Sequence, residues 1–338
     1  MTNASRVLVH AYSFEERCAP ALEYGLSNFR PDLVLSIRYD QTAEELVPAL
    51  IANVNRCDFM VADAGVRHEV IRSDISSQIQ IVRSVAACAG DAKEIVLDIS
   101  CLTKLHILRL LHQLYGRISH VVYVGGSRHT AHAQGESGTG HRQCVAVLGF
   151  EGLCSPQSPL LAVILAGYEG DRGLSTMLEL DPAIAVAAIG VPWTQPEVAM
   201  TYVTTALEVN RPLLAHHNVF AELVPSLSPR DFSSRLRDII AQHRERVLRL
   251  WRVQPRIVVV PICTKIQCLG LYFYWSKHPA VRILYPVPSA YRRVSYGYSA
   301  PIVTSLREFG KGLVLREVVE KAFAAERQPV PPSEGRCQ

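Results

Sequence analysis

The 338-residue sequence is short of the features that place a chain in a class at first sight. It has no long hydrophobic run. The longest apolar stretch, around Leu160 to Gly167, falls far below the roughly 20 residues that a membrane helix needs. It has no excess of one charge, since the formal net charge of +4 is too mild to imply nucleic acid by itself. It has no secretory leader pattern, because Met1 to Arg6 leads straight into a short apolar run. Its nine cysteines are odd in number and show no repeated spacing. Four of them sit inside apolar segments (Cys88, Cys101, Cys263, Cys268), which reads as reduced thiols in a cytoplasmic protein, not as a disulfide framework. What is present is an ordinary globular composition, 49% hydrophobic and 20% charged, enough for a large core and two domains.

Short apolar runs alternate with helix-period segments. Arg6–Ala11, Leu33–Ile37, Phe59–Ala62, Ile95–Ile99 and Val121–Val124 read as buried strands. Between them Ala19–Phe29, Ala43–Asn55, Ile75–Ala89 and Leu105–Tyr115 read as helices. A second series follows, with strand candidates Leu161–Ala166, Ile184–Ile189, a weak Leu213–Ala215, Ile257–Val260 and Ile283–Tyr285. Its clearest helices are Thr194–Glu208 and Phe232–Trp251. The expected fold class is α/β, with two tandem Rossmann-like parallel-sheet domains over residues 1–150 and 158–326 and a disordered tail at 327–338.

The two series match each other locally. AYSFEER (Ala11–Arg17) and AGYEGDR (Ala166–Arg172) both follow a first strand and carry an aromatic, then acidic residues and Arg. DISCLTK (Asp98–Lys104) pairs with VVPICTK (Val259–Lys265), and VVYVGGS (Val121–Ser127) with ILYPVPS (Ile283–Ser289). Three matches in one order, about 155 to 162 residues apart, point to an internal duplication.

In an open parallel sheet, ligands bind beyond the carboxyl ends of the strands. The Thr-Lys turns and the acidic-Arg turns both fall there. A hydroxyl at a helix start can cap a free backbone N–H, and the same N-terminus attracts phosphate. Ser100, Thr103, Lys104, Thr264 and Lys265 are therefore candidate ligand-binding residues, together with Arg17, Arg172, Ser127 and Arg128. A capped helix with a solvated lysine is the competing reading.

DISCLTK resembles the strand-four signature of CARF domains, Rossmann-like sensors of cyclic oligonucleotides, in which a strand ends in a hydroxyl-Gly-Gly-Thr-Lys pattern. Two fused copies resemble the SAVED arrangement, a tandem of CARF-like units that binds cyclic nucleotides in prokaryotic antiviral defence. Cys101 and Leu102 stand where that pattern has paired glycines, and Pro261-Ile262-Cys263 departs further. The resemblance implies a nucleotide or cyclic oligonucleotide as ligand, without a resident cofactor. No nuclease, protease or membrane segment is read in the sequence, so the resemblance also implies either a separate effector protein as partner or a chain that itself degrades the ligand.

Two other readings stay open. Glu15, Glu16 and Asp171 place carboxylates at the strand-one exits, where an enzyme cleaving a nucleotide could use them on a ribose or an oxocarbenium-like transition state. A pure protein-interaction subunit is the third. His129, His132, His141 and Cys144 could ligate zinc, but they flank a Gly-rich hairpin tip with no counterpart in the second half, so no metal is expected there. The five arginines of Phe232–Trp251 are broken up by Asp231, Asp238 and Glu245 and read as a solvated amphipathic face, with direct nucleic-acid binding not expected. Tyr291-Arg292-Arg293 with Tyr296 and Tyr298 forms an aromatic-basic patch after the last strand of the second half. The oligomeric state is left open.

Overall fold

The computed structural model describes residues 4–40, 43–126, 128–129, 141–152, 155, 157–192, 196–288 and 295–306. The first half runs β1 (Arg6–Ala11), α1 (Cys18–Phe29), β2 (Leu33–Tyr39), α2 (Val47–Asp63), β3 (Arg67–Ser73), α3 (Gln80–Ala89), β4 (Glu94–Asp98), α4 (Lys104–Leu114) and β5 (Ile118–Tyr123). Two further strands follow, β6 (Arg128–His129) and β7 (His141–Ala146). The second half runs β8 (Leu160–Ala166), α5 (Gly170–Leu180), β9 (Ile184–Val191), α6 (Pro196–Val209), α7 (Arg211–Leu214), β10 (Val219–Pro225), α8 (Pro229–Trp251), β11 (Arg256–Pro261), α9 (Lys265–Trp275) and β12 (Arg282–Pro288). β13 (Ser295–Tyr296) and β14 (Ile302–Ser305) close the described chain.

These elements form two six-stranded sheets with the same topology. The first has the order β14-β5-β4-β1-β2-β3 and the second, read in the same sense, β7-β12-β11-β8-β9-β10. Five strands of each are parallel, and the sixth is antiparallel. This is the α/β class expected from the sequence, as two Rossmann-like sheets. β1, β4, β8 and β9 are buried along almost their whole length, the signature of strands covered on both faces by crossover helices.

The antiparallel edges are exchanged. β7 follows the first half in the chain but pairs with β12, whereas β14 follows the second half but pairs with β5. Between these exchanges β6 and β13 pair with each other, tying the two outgoing arms together. The halves also share a core. One contiguous cluster joins Leu97, Leu108 and Leu111 to Leu269, Tyr272 and Trp275. Tyr115 lies 5.5 Å from Tyr272 and Phe150 4.3 Å from Trp275, ring centre to ring centre.

Two strand expectations are corrected. Phe59–Ala62 belongs to α2, where Cys57 and Val61 sit one turn apart on the buried face while Phe59 is 71% exposed. The third strand is the polar RHEVIRS of β3 instead. Leu213–Ala215 falls on α7 and its C-terminal cap, and the corresponding strand is VFAELVP of β10. β3 and β10 occupy equivalent sheet edges, so they carry half-exposed, mixed faces that show no apolar run. The expected helix at Ile75–Ala89 begins later, at Gln80. Among the described residues, no helix is long and apolar enough to cross a membrane.

Candidate functional site

In each sheet the strand order reverses beside the first strand, between β1 and β4 and between β8 and β11. Such a switch point opens a crevice at the carboxyl ends of the strands. The acidic-Arg turns and the Thr-Lys turns border these two crevices, and α4 and α9 pack against each other between them.

The threonines are helix caps. Thr103 Oγ1 accepts from the His106 backbone N–H at 3.2 Å, and Thr264 Oγ1 from that of Gln267 at 3.3 Å. Gln267 Oε1 in turn accepts from the Thr264 N–H at 3.1 Å, completing a capping box. Ser100 is fully buried and its Oγ accepts from the Val124 N–H at 2.8 Å, lacing the β4 exit to the β5 exit. His106 anchors the first turn from inside. Its Nδ1 lies 2.8 Å from Thr103 Oγ1 and 2.9 Å from Tyr39 Oη, and its Nε2 3.0 Å from Ser77 O. Burial lowers its pKa to about 4, so it holds the turn as a neutral ring.

The lysines do something the sequence does not show. Lys104 reaches across to the opposite turn and donates to Ile262 O at 3.4 Å. Lys265 reaches back and donates to Ser100 O at 2.5 Å. The relation is reciprocal, with each half's lysine standing in the other half's turn. Behind each lies a buried arginine. Arg17 is ion-paired to Glu15 and stands 6.0 Å from the Tyr123 ring centre, whereas Arg172 is ion-paired to Glu169 and stands 5.5 Å from that of Tyr285. Lys265 feels Arg17, Glu15, Cys101 and Lys104, and desolvation, reinforced by Arg17, lowers its pKa to about 8. Four cations thus meet two carboxylates where two helix N-termini converge, an arrangement that favours an anion.

The candidate carboxylates are engaged separately. Glu15 holds Arg17, Glu16 accepts from the Gly297 N–H at 2.6 Å, and Asp171 is exposed in the first turn of α5. Nor is Cys263 a ready nucleophile, because burial pushes its thiol up to about 12. Ser127, Tyr291-Arg292-Arg293 and the tail at 327–338 lie outside the described residues, and the Arg128 side chain does too, although its backbone opens β6. His141 and Cys144 come together with Glu179, while His132 and the His129 side chain are outside the described residues. The arginines of α8 are largely spoken for: Arg235 pairs with Glu222, Arg237 with Asp238 and Arg249 with Glu245. A cavity of about 330 Å³ lined by Val82, Arg83, Arg109 and Leu148 contains none of the turn residues.

Sequence reading missed His10, Asp98, Cys18 and Cys57, which form a fully buried polar cluster beneath the first turn. The signal was available. A histidine inside RVLVHA and an aspartate ending EIVLD must find polar partners once both strands are buried.

The sequence matches no family model, and no curated protein matches it. Among solved structures, the chain is similar to a type III CRISPR defence DNA nuclease activated by cyclic oligoadenylate, with a TM-score of 0.49 and 12% identity over 83% of this chain and 65% of that one. It is also similar to trans-2-enoyl-CoA reductase of Clostridium acetobutulicum in complex with NAD, with a TM-score of 0.25 and 9% identity over 76% of this chain and 59% of that one. The chain spans less than two thirds of the length of either protein. At these scores neither likeness bears on the site, whose reading rests on its own geometry.

Proposed function

We propose that the facing turns bind one anionic nucleotide, shared between the two halves, and that the protein is the nucleotide-sensing subunit of a prokaryotic antiviral defence system working with a separate effector. The reciprocal reach of Lys104 and Lys265 carries this reading. A pseudo-symmetric pair of lysines over two helix N-termini suits a ligand with repeated phosphates, and the resemblance of DISCLTK to the CARF signature supplies the class, cyclic oligonucleotides. The common strand order of the two sheets supports descent by duplication. Both lysines are already hydrogen-bonded to carbonyls, so the ligand exchanges these bonds for charge-assisted ones and loosens the contact between the turns. That loosening is the signal an effector would read.

The experiment is a thermal-shift panel of cyclic oligoadenylates, cyclic dinucleotides, ATP, AMP and NAD at saturating concentration. At least one cyclic oligonucleotide should raise the melting temperature of the wild-type chain, and Lys104→Ala should abolish the rise. A silent panel, or a shift that Lys104→Ala leaves intact, sinks the reading.

A further inference from the structure

The buried cluster beneath the first Thr-Lys turn is built from four separate elements. His10 comes from the end of β1, Cys18 opens α1, Cys57 lies on α2, and Asp98 ends β4. All four side chains are 0–1% exposed. Cys18 Sγ lies 3.6 Å and Cys57 Sγ 4.0 Å from His10 Nε2, and the two sulfurs are 3.9 Å apart. In a tetrahedral zinc site, metal–sulfur bonds of about 2.3 Å and a metal–nitrogen bond of about 2.0 Å set sulfur–sulfur spacings near 3.8 Å and nitrogen–sulfur spacings near 3.5 Å. The three donors already stand close to those spacings.

The other ring nitrogen is held as a metal-bound histidine requires. His10 Nδ1 lies 2.8 Å from Asp98 Oδ2, while Asp98 Oδ1 accepts from the Ser100 N–H at 2.8 Å. A carboxylate on Nδ1 fixes the tautomer that leaves the Nε2 lone pair facing the thiols. Cys101, whose thiol interacts with that of Cys18, adjoins the group but does not share the mutual spacing of the other three donors. Without a metal, His10 and Asp98 hold one another, and the two thiols share the dry pocket with only the weak hydrogen bonds that sulfur offers.

We propose that His10, Cys18 and Cys57 bind a Zn²⁺ ion, with Asp98 orienting His10 and Cys101, beside Cys18, as the candidate for the fourth position. Binding displaces the Cys18 and Cys57 thiol protons to solvent, and the two thiolates neutralise the Zn²⁺. The ion clamps β1, α1, α2 and the β4–α4 turn together. Cys18 adjoins Arg17, and Cys101 adjoins Ser100, whose carbonyl receives Lys265. The metal would therefore set the floor of the anion site, yet its presence is independent of which ligand, if any, binds above it.

The test is elemental analysis of the full chain, purified under reducing conditions and then gel-filtered with excess Zn²⁺ removed. One zinc per chain is expected, and replacement by Co²⁺ should give the intense visible bands of tetrahedral cobalt with a thiolate charge-transfer band. His10→Gln and Cys57→Ser should each lose the metal, while Cys144→Ser, in the half-buried His141–Cys144–Glu179 group, should keep it. Substoichiometric zinc, or zinc lost only in Cys144→Ser, overturns the proposal. Should the core variants fail to fold, X-ray absorption of the wild-type zinc protein reads the ligands directly. At least two sulfurs and one nitrogen are expected, and a shell of oxygens or a single sulfur contradicts it.

Discussion

Replacing Lys265 with methionine is expected to weaken nucleotide binding by about 100-fold while leaving the fold within about 1 kcal/mol of wild type at pH 7. The binding loss follows from removing one charge-assisted contact, worth about 2–3 kcal/mol when desolvated. The small stability change follows from two opposed terms. Methionine leaves Ser100 O without its 2.5 Å donor, a cost of about 1 kcal/mol, but it also removes a cation crowded by Arg17 and Lys104 in a partly dry site. The pH dependence separates the two. Lys265 titrates at about 8 in the folded chain and near the ordinary lysine value when unfolded. Between these values the unfolded state holds the extra proton, so wild-type stability rises with pH relative to Lys265→Met, and below about 8 the penalty is fully present. Anion binding needs the protonated amine and so should weaken as pH rises through 8. Chemical denaturation from pH 7 to 10 checks the first trend. A wild-type curve parallel to that of the variant refutes the assignment of a strained cation.

Asp98→Ala should cost about 3 kcal/mol of stability, the range for stripping one partner from a buried polar pair. Asp98 is 1% exposed and holds both His10 Nδ1 and the Ser100 N–H. Its loss orphans two groups at the root of the turn that carries Lys104. Asp98→Asn separates architecture from metal chemistry. The amide oxygen can still accept from Ser100, but its NH₂ faces His10 Nδ1 and drives the imidazole proton to Nε2, toward the sulfurs. Asp98→Asn should therefore melt near wild type when metal-free but fail to retain zinc. Equal stability of Asp98→Ala and wild type would show that the turn does not depend on this cluster.

Much of the architecture was legible because fully buried strands announce themselves. RVLVHA was bounded correctly at both ends, and the Thr-Lys pairs marked real helix starts, since Thr103 and Thr264 cap α4 and α9. Edge strands were not legible. β3 and β10 face water on one side and show no apolar run, while the end of α2 supplied the apolar FMVA in place of β3 and α7 the weak Leu213–Ala215 in place of β10. The exchange of β7 and β14 between sheets is a matter of tertiary pairing that local pattern cannot encode. The same is true of the candidate site. The matched stretches DISCLTK and VVPICTK located the turns, but only the packing of α4 on α9 brings Lys104 to Ile262 and Lys265 to Ser100. The glycines of the CARF signature are missing, and here hydrogen-bonded side chains, Ser100 and the cap threonines, shape the turn.

The central claim is that one anion is held by both halves at once. Calorimetric titration of the full chain with the cyclic oligonucleotide selected by the thermal-shift panel measures this as a stoichiometry. One ligand per chain is expected, and both Lys104→Ala and Lys265→Met should lose it. Two independent ligands per chain, or full binding retained in either lysine variant, would contradict a shared site.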